Sequence, residues 1–264
     1  MSQVNSKDGT AIAYERVGKG PPLILVDGAL CSRAFGPMPK LASLLAPEFT
    51  VYLYDRRGRG ESGDTPSCGR ERELDDLTAL IGAAGGAAAL VGLSSGAALA
   101  LEAAAARLPV TRIVAYEPPY IEPAGATRGR AHQGRLQALV TEGNRGGAVR
   151  YFMRDMIGVP APVVWIMRLL PVWRKLKAVG HTLPYDSAVM GDFTVPTARL
   201  AKVAVPTLIM HGSKTDPRLK RAAGEVAGTF QQAQSLTLAG QNHNVDTSVL
   251  AQAVAEFLRA GDPN

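Results

Sequence analysis

Six short apolar segments, rich in branched side chains, recur along the chain and constrain its fold more than any other feature. They are PPLILV (21–26), TVYLY (50–54), AALVG (88–92), TRIVAY (111–116), PTLIMH (206–211) and QSLTL (234–238). Helical patterns lie between them and after the last one, with apolar residues on one face of 70–84 and of 246–260. Short strands separated by helices predict a mostly parallel, doubly wound α/β sheet covered on both faces. Segment 10–18 is expected to add an antiparallel edge.

One interval lacks the strand pattern. From about residue 122 to residue 200, helix-like segments replace it, including 147–158 and 162–180, and prolines interrupt them. Ligands of open α/β sheets bind beyond the carboxyl ends of the strands, so a helical insertion there is expected to cover the site as a cap. The sequence therefore predicts a core of residues 1–121 and 201–264 with a helical cap of residues 122–200.

Composition narrows the possible function classes. With 264 residues, 46% of them hydrophobic, the chain can bury a large core. No stretch approaches the roughly 18–20 apolar residues that cross a bilayer, and no signal-peptide pattern is visible, so we expect a cytoplasmic protein without a membrane partner. The net charge is +6, yet the basic residues form no run, so nucleic acid is not an expected partner.

Cys31 and Cys68 are the only cysteines, and the sequence has no CxxC motif or histidine cluster near them. We therefore expect two free thiols, no metal site and no cofactor. A small-molecule substrate is the expected partner. The sequence leaves the oligomeric state open.

The stretch LVGLSSGAALAL (90–101) contains the pattern G-x-S-x-G, in which Gly92 and Gly96 flank Ser94. An apolar segment typical of a buried strand precedes it, and a segment of residues that strongly favour helix follows it. A strand and a helix on either side are the context of a nucleophile elbow. Only Ser94 has glycine at both required positions, where a Cβ would collide with neighbouring backbone. We therefore predict Ser94 as the nucleophile. Ser95 begins the helix and offers its backbone N–H to an oxyanion.

This stretch and five others resemble the α/β-hydrolase family, and the resemblance covers nearly the whole chain. The segments are 92–96, Asp27-Gly28-Ala29, YDRRGRGES (54–62), AYEPP (115–119), PTLIMHGSKTD (206–216) and AGQNHNVD (239–246). The chain is most similar to small, capped, cofactor-independent members that hydrolyse esters and related acyl compounds. The resemblance implies a catalytic serine, acid and histidine in that order along the chain.

A serine hydroxyl is a poor nucleophile until a base removes its proton. Histidine is the expected base, because its imidazole titrates near neutral pH. The chain has four histidines. His132 and His181 lie in the predicted cap, and His211 ends a strand, where a structural role is expected. His243 follows the last strand, in the loop where the family has its base, and we predict it as the catalytic base.

Two carboxylates are candidates for the third member of the triad. Asp216 follows the strand PTLIMH at the usual family position, although its spacing from Gly212 is one residue longer than the commonest pattern. Glu117 follows the preceding strand, 23 residues after Ser94, where some related enzymes have the acid. Asp216 is the preferred assignment and Glu117 the alternative. Without a catalytic role, Asp216 is expected to be the N-cap of the next helix, and Glu117 is expected to accept hydrogen bonds from loop amides.

An oxyanion hole needs two donors, and the resemblance implies that the Ala29 N–H joins that of Ser95. Gly28 allows the backbone to approach the substrate closely. The family usually has histidine before this glycine, whereas this chain has Asp27. We expect Asp27 to turn away and bond within its own loop, with a direct substrate contact as the alternative.

The predicted cap also supplies a substrate pocket. Large apolar side chains of its amphipathic helices are expected to line or close it, namely Phe152, Met156, Trp165 and Trp173. Ten basic and two acidic residues lie between positions 124 and 184. Most of these charges are expected to extend into solvent, and attraction of an anionic acyl substrate is the functional alternative.

These features predict a serine hydrolase that cleaves a carboxylic ester, or a related acyl bond, of a small and largely apolar molecule through an acyl-enzyme. Serine rather than aspartate at the elbow argues against dehalogenase and epoxide hydrolase chemistry. The same fold can host a lyase, a cofactor-free perhydrolase or haloperoxidase, an isomerase or a cyclase. A non-catalytic small-molecule binder is a further alternative.

Overall fold

The computed structural model of the protein describes residues 2–65, 69–230 and 232–260. Within these ranges eight strands form one sheet: β1 (Ser2–Asn5), β2 (Ala11–Val17), β3 (Pro22–Val26), β4 (Thr50–Tyr54), β5 (Ala88–Leu93), β6 (Val110–Tyr116), β7 (Thr207–Gly212) and β8 (Ala233–Leu238). Their order is β1-β2-β4-β3-β5-β6-β7-β8, with β1 and β2 antiparallel and β3 to β8 parallel. This confirms the predicted mostly parallel α/β fold.

The helices fill the connections between the strands. They are α1 (Met38–Leu45), α2 (Arg70–Ala83), α3 (Ser95–Ala105), α4 (Arg128–Thr141), α5 (Arg145–Tyr151), α6 (Ala161–Met167), α7 (Val172–Val179), α8 (Leu183–Met190), α9 (Thr197–Leu200), α10 (Pro217–Thr229) and α11 (Thr247–Arg259). The six predicted strands correspond to β3 to β8 within one residue at each end, and the predicted edge strand is β2. The sequence patterns did not predict β1.

Helices cover both faces of the sheet because successive residues of each buried strand point to opposite sides. In β3, Leu23 and Leu25 pack in a buried cluster with α1 and α11. Ile24 and Val26 point the other way, into a cluster with α2, α3 and α10. The central strands are therefore apolar throughout, as a doubly wound sheet requires.

A long helical insertion separates β6 from β7. Residues 117–206 are all described, and they contain α4 to α9, a π-helical turn (Phe152–Ile157) and a 3₁₀ turn (Gly180–Thr182), but no strand. Pro160 and Pro171 precede α6 and α7, which is why the predicted segment 162–180 is two short helices. Helix α8 packs against α3, the helix that begins directly after the predicted nucleophile. The insertion therefore lies next to the elbow.

Five connecting loops converge at one edge of the sheet, because β3, β5, β6, β7 and β8 run parallel as successive neighbours. The loops at their carboxyl ends contain Ala29, Ser94, Glu117, Asp216 and His243, respectively. The topology thus brings every predicted catalytic residue to the same edge.

None of the helices in the described ranges is both long and apolar enough to cross a bilayer. Cys31 is a free thiol that is partly exposed, whereas Cys68 lies outside the described residues.

Candidate active site

Ser94 occupies the strained turn between β5 and α3. Its backbone angles are φ 54° and ψ −123°, in a region that side-chain-bearing residues rarely adopt. A Cβ on Gly92 would overlap the carbonyl oxygen of Gly96, and one on Gly96 would overlap the carbonyl oxygen of Val26. These overlaps confirm why glycine is needed at both positions, and the turn is that of a nucleophile elbow.

His243 lies in the loop after β8 and is held by a carboxylate from the loop after β6. Its Nδ1 is 2.7 Å from Oε2 of Glu117, whose side chain is fully buried. The Tyr116 hydroxyl donates to the carbonyl of Asn242 at 2.6 Å, which anchors the backbone beside His243. The bond at Nδ1 leaves Nε2 of the imidazole as the atom for proton transfer.

The surroundings of Glu117 keep its carboxyl group ionised. Burial raises its pKa, but hydrogen bonds from His243, the Gly212 N–H at 2.8 Å and the Thr215 hydroxyl at 2.9 Å outweigh burial and hold that pKa below its ordinary value. The backbone of Glu117 has φ 50°, in the left-handed region. A second strained residue thus lies at the site, and its strain aims a charged side chain at the base.

Asp216, the preferred acid, does not contact His243. Its Oδ1 accepts the Arg218 N–H at 2.8 Å, so it caps α10, and its Oδ2 pairs with the Arg218 guanidinium at 2.9 Å. The hydrogen bond from Arg218 lowers the pKa of Asp216. Asp216 lines the same cavity as His243. The structure therefore brings Glu117, the alternative acid, and not the preferred Asp216, to the imidazole.

The other three histidines have other partners. His132 bonds the Tyr151 hydroxyl at 2.8 Å, His181 lies 3.3 Å from Asp64, and His211 bonds the Thr237 hydroxyl at 3.2 Å. None of these contacts involves the elbow. His132 nonetheless lines the cavity at Ser94.

The two predicted oxyanion donors lie beside the nucleophile. A Cβ built on Gly28 would lie 3.2 Å from Ser94 Cβ, so only glycine brings this loop so close without displacement. Ala29 and Ser95 line the same cavity as Ser94. Among the described residues, neither the Ala29 nor the Ser95 N–H donates a hydrogen bond to another protein group. Both donors are therefore available to a substrate oxygen.

Asp27 turns away from the cavity and bonds within its own loop, as expected. Its Oδ1 accepts the Gly28 N–H at 2.8 Å, and its carboxyl group is buried. Burial raises the pKa of Asp27 to about 7, against the opposing effects of that hydrogen bond and of the Arg59 and Arg56 charges. A carboxyl group whose pKa is raised carries less negative charge near neutral pH than an ordinary aspartate, so it opposes negative charge on a nearby oxyanion less.

A cavity of about 290 Å³ extends from Ser94 beneath the inserted helices. Its apolar wall is formed by Ile121, Phe152, Met156, Ile157, Met190 and Phe193. Lys214, Asp216 and Arg218 lie on a second, charged side. This size and lining suit a small, largely apolar acyl or alcohol group.

Two of the four predicted pocket residues lie elsewhere. Phe152 and Met156 line the cavity at Ser94. Trp165 is 61% exposed on α6, and Trp173 packs into the hydrophobic cluster from α7 and faces a different depression, beside Arg145. Trp165 and Trp173 therefore do not line the cavity at Ser94, and they lie on the two short helices that begin after Pro160 and Pro171.

The loop 55–63 buries three arginines that sequence reasoning did not place. Arg56 pairs with Glu73 at 2.5 Å, and Arg57 pairs with Asp76 at 2.6 Å. Arg59 pairs with Asp186 of α8 at 2.7 Å. Because the partners lie on distant segments, local sequence contains no signal for these contacts.

Within the described part of the chain, no group of three or more histidine, cysteine, aspartate or glutamate side chains could hold a metal ion.

Comparison with known proteins agrees with the fold. The chain matches the alpha/beta hydrolase family over residues 23–260. An alpha/beta hydrolase structure from Sphaerobacter thermophilus DSM 20745 is 50% identical, with a TM-score of 0.87, and the match covers 97% of this chain and 100% of that one. A thermophilic esterase from Thermogutta terrifontis has the same fold, with a TM-score of 0.77 at 22% identity and 98% of each chain covered.

A pimeloyl-[acyl-carrier protein] methyl ester esterase from Xanthomonas campestris pv. campestris is 29% identical over 236 residues, which are 86% of this chain and 89% of the relative. The protein belongs to the alpha/beta hydrolase family. It is an enzyme of this fold, and the esterases among its relatives support the expectation of a carboxylic ester hydrolase.

Proposed function

We propose that the protein is a serine hydrolase that cleaves carboxylic esters of small, largely apolar molecules through an acyl-enzyme. The observation that supports this most directly is the 2.7 Å contact between His243 Nδ1 and Glu117 Oε2, at a cavity that Ser94 also lines. A base with its tautomer fixed beside a strained serine is the arrangement that activates a hydroxyl nucleophile.

In the first half of the reaction, Ser94 Oγ attacks the ester carbonyl and His243 Nε2 accepts its proton. Glu117 stabilises the imidazolium that forms, without itself taking the proton. The N–H groups of Ala29 and Ser95 bind the oxyanion, and removal of one such donor typically costs about 10²–10³-fold in rate. His243 then protonates the leaving alcohol, and the acyl group remains on Ser94.

In the second half, water replaces the alcohol. His243 removes a proton from the water, which attacks the acyl carbonyl, and the same two amides bind the second oxyanion. Collapse of this intermediate releases the carboxylic acid and returns the proton to Ser94.

The inserted helices determine which esters enter. We propose that residues 122–200 act as a cap on the core formed by 1–121 and 201–264, because Phe152 and Met156 line the cavity. Most of the lining from this segment is apolar, which favours an aliphatic or aromatic acyl group. The relative from Xanthomonas acts on a methyl ester, which fits the reaction class proposed here.

A fluorophosphonate probe tests the proposal, because it phosphonylates only an activated serine. Wild-type protein should be labelled with one equivalent and should hydrolyse p-nitrophenyl butyrate. Ser94→Ala should lose both properties. Ser95→Ala should keep the label, because this variant retains the nucleophile and the backbone N–H of residue 95.

The outcomes separate the function classes. No label on the wild-type protein would overturn the serine hydrolase proposal in favour of a binding protein. A label on Ser94 without turnover of any p-nitrophenyl ester would instead favour non-hydrolytic chemistry on the same elbow.

A further inference from the structure

Three charged side chains meet behind the oxyanion loop, and the mechanism above does not use them. Arg56 Nη1 lies 2.8 Å from Asp186 Oδ1, and Arg59 Nη2 lies 2.7 Å from Asp186 Oδ2. Each of the three residues is at most 2% exposed. Buried charges are costly unless they are paired with good geometry, so this Arg56–Asp186–Arg59 cluster has little freedom to rearrange.

Arg59 connects the cluster to the oxyanion loop. Its Nη1 donates to the carbonyl oxygen of Gly28 at 2.6 Å, and its Nε donates to Thr182 Oγ1 at 3.2 Å. The guanidinium group is planar, and its N–H groups point in fixed directions. The bonds to Thr182 and Asp186, both on the inserted segment, therefore determine where Nη1 points.

The Gly28 carbonyl and the Ala29 N–H belong to one peptide unit. In a planar trans peptide the C=O and the N–H point in opposite directions. Since Arg59 holds the Gly28 oxygen on one side, the Ala29 N–H must point away from Arg59. A hydrogen bond to the carbonyl also polarises the unit and makes its N–H a stronger donor.

The second donor is tied to the same cluster. Ser95 Oγ donates to Asp186 Oδ1 at 2.7 Å and accepts from Arg56 Nη1 at 3.1 Å. Arg56 also donates to the carbonyl oxygen of Asp27 at 3.1 Å, one peptide before the Gly28 carbonyl. Asp186 of α8 thus bonds both Arg59, which holds the peptide of the Ala29 N–H, and the hydroxyl group of Ser95. A single carboxylate therefore helps to position both predicted oxyanion donors.

We propose that Arg59 is a positioning residue for the oxyanion hole: its bond to the Gly28 carbonyl orients and polarises the Ala29 N–H, and Asp186 of the inserted segment aligns Arg59. This inference rests on the proposed ester hydrolysis. Arg59 acts through the peptide and is not among the residues that line the cavity. Arg59 therefore stabilises the charged transition state and contributes little to the affinity for the substrate.

The test compares Arg59→Lys and Arg59→Met with wild-type protein in the hydrolysis of p-nitrophenyl butyrate. Methionine has no donor for the Gly28 carbonyl, and a lysine ammonium lacks the fork that bonds Gly28 and Asp186 together. We expect kcat to fall by about 10–100-fold while KM stays near the wild-type value. Arg59→Lys should be the less impaired variant, and it keeps the charge that Asp186 needs for folding.

A transition-state analogue provides a second readout, which a purely structural role would not move. A trifluoromethyl ketone forms a hemiketal oxyanion on the catalytic serine, so its inhibition constant should rise by the same factor by which kcat/KM falls. Binding of the uncharged alcohol that corresponds to this ketone should stay unchanged in both Arg59 variants.

Arg57→Met is the matched control. Arg57 is equally buried in the same loop, but its ion pairs lead to Asp76 at 2.6 Å and Asp8 at 2.9 Å, away from the oxyanion loop. Active-site titration counts the molecules of Arg57→Met that remain folded, and the kcat of these molecules should stay near the wild-type value.

Equal losses of kcat in the Arg57 and Arg59 variants would overturn the inference. Unchanged kcat in Arg59→Lys, or a change in its KM alone, would overturn it as well. Absence of turnover in the wild-type protein would overturn the proposed function instead.

Discussion

Glu117 Oε2 lies 2.7 Å from His243 Nδ1, although the two residues are 126 positions apart in sequence. The loops after β6 and β8 bring them together across the end of β7, which supplies the Gly212 N–H to the other oxygen of the same carboxylate. A carboxylate held by three donors cannot easily leave the imidazole. The geometry therefore makes Glu117 the orienting acid of the proposed triad.

Glu117→Gln should reduce kcat by about 10³–10⁴-fold, because an amide no longer stabilises the imidazolium and allows the wrong tautomer. Asp216→Asn should keep kcat close to the wild-type value, because asparagine also caps a helix. Steady-state hydrolysis of p-nitrophenyl butyrate measures both variants, with circular dichroism as the check on folding. A large loss in Asp216→Asn alone would restore Asp216 as the acid.

The apolar wall of the cavity should determine the preferred acyl length. Phe152→Ala enlarges the cavity, so the ratio of kcat/KM for p-nitrophenyl octanoate to that for the acetate should rise by about tenfold or more. Trp165→Ala is the matched control, because Trp165 is an aromatic residue of the same inserted segment that lies outside the cavity. If Trp165→Ala shifts the ratio and Phe152→Ala does not, the cavity at Ser94 is not the acyl site.

Asp27 should make the stability of the protein depend on pH. Its pKa is about 7 in the folded protein and near 4 in an unfolded chain, so the folded state binds more protons between these values. The free energy of unfolding therefore falls as pH rises through this window. Asp27→Asn removes this dependence and keeps an acceptor for the Gly28 N–H.

Urea denaturation at pH 5 and pH 8 measures this effect. The stability of Asp27→Asn relative to wild type should increase by about 2–3 kcal/mol between the two pH values. Asp216→Asn is the control: the pKa of Asp216 is lowered, so this carboxylate is ionised at both pH values and the difference from wild type should stay constant. Parallel curves for Asp27→Asn and wild type would show that Asp27 is ionised throughout.

The elbow could be predicted from sequence because its requirements are local. Gly92, Ser94 and Gly96 lie within five residues, and the overlap that a Cβ on Gly92 would cause arises within that short turn. The strands could be predicted for a similar reason, since each one is a short run of branched apolar residues with a recognisable end.

The acid of the proposed triad could not be predicted from sequence, because the loops after β6 and β7 both begin at the same edge of the sheet. Glu117 and Asp216 both follow strands that neighbour each other, and the sequence does not show which loop turns inward. The outcome depends on the left-handed backbone of Glu117 and on the Arg218 contacts that hold Asp216 at the start of α10. The local sequence indicates an N-cap at Asp216, but it contains no pattern for the left-handed backbone of Glu117.

The pocket and the buried arginines depend on still longer-range contacts. Trp165 looked like a pocket residue because its segment is amphipathic, but Pro160 and Pro171 divide that segment into short helices whose direction only tertiary packing determines. Arg59 and Asp186 are 127 residues apart, and no sequence period connects them. Such contacts can be identified only from the tertiary packing of the inserted helices against the rest of the protein.

The central claim is that Ser94 forms a covalent acyl intermediate, and the mass of the protein during turnover tests it most directly. Protein mixed with p-nitrophenyl butyrate and quenched in acid within the first turnovers should gain the mass of one butyryl group. Peptide mapping should place that group on Ser94, and Glu117→Gln should acylate far more slowly. An unmodified mass during sustained turnover, or a butyryl group on Ser95, would contradict the account.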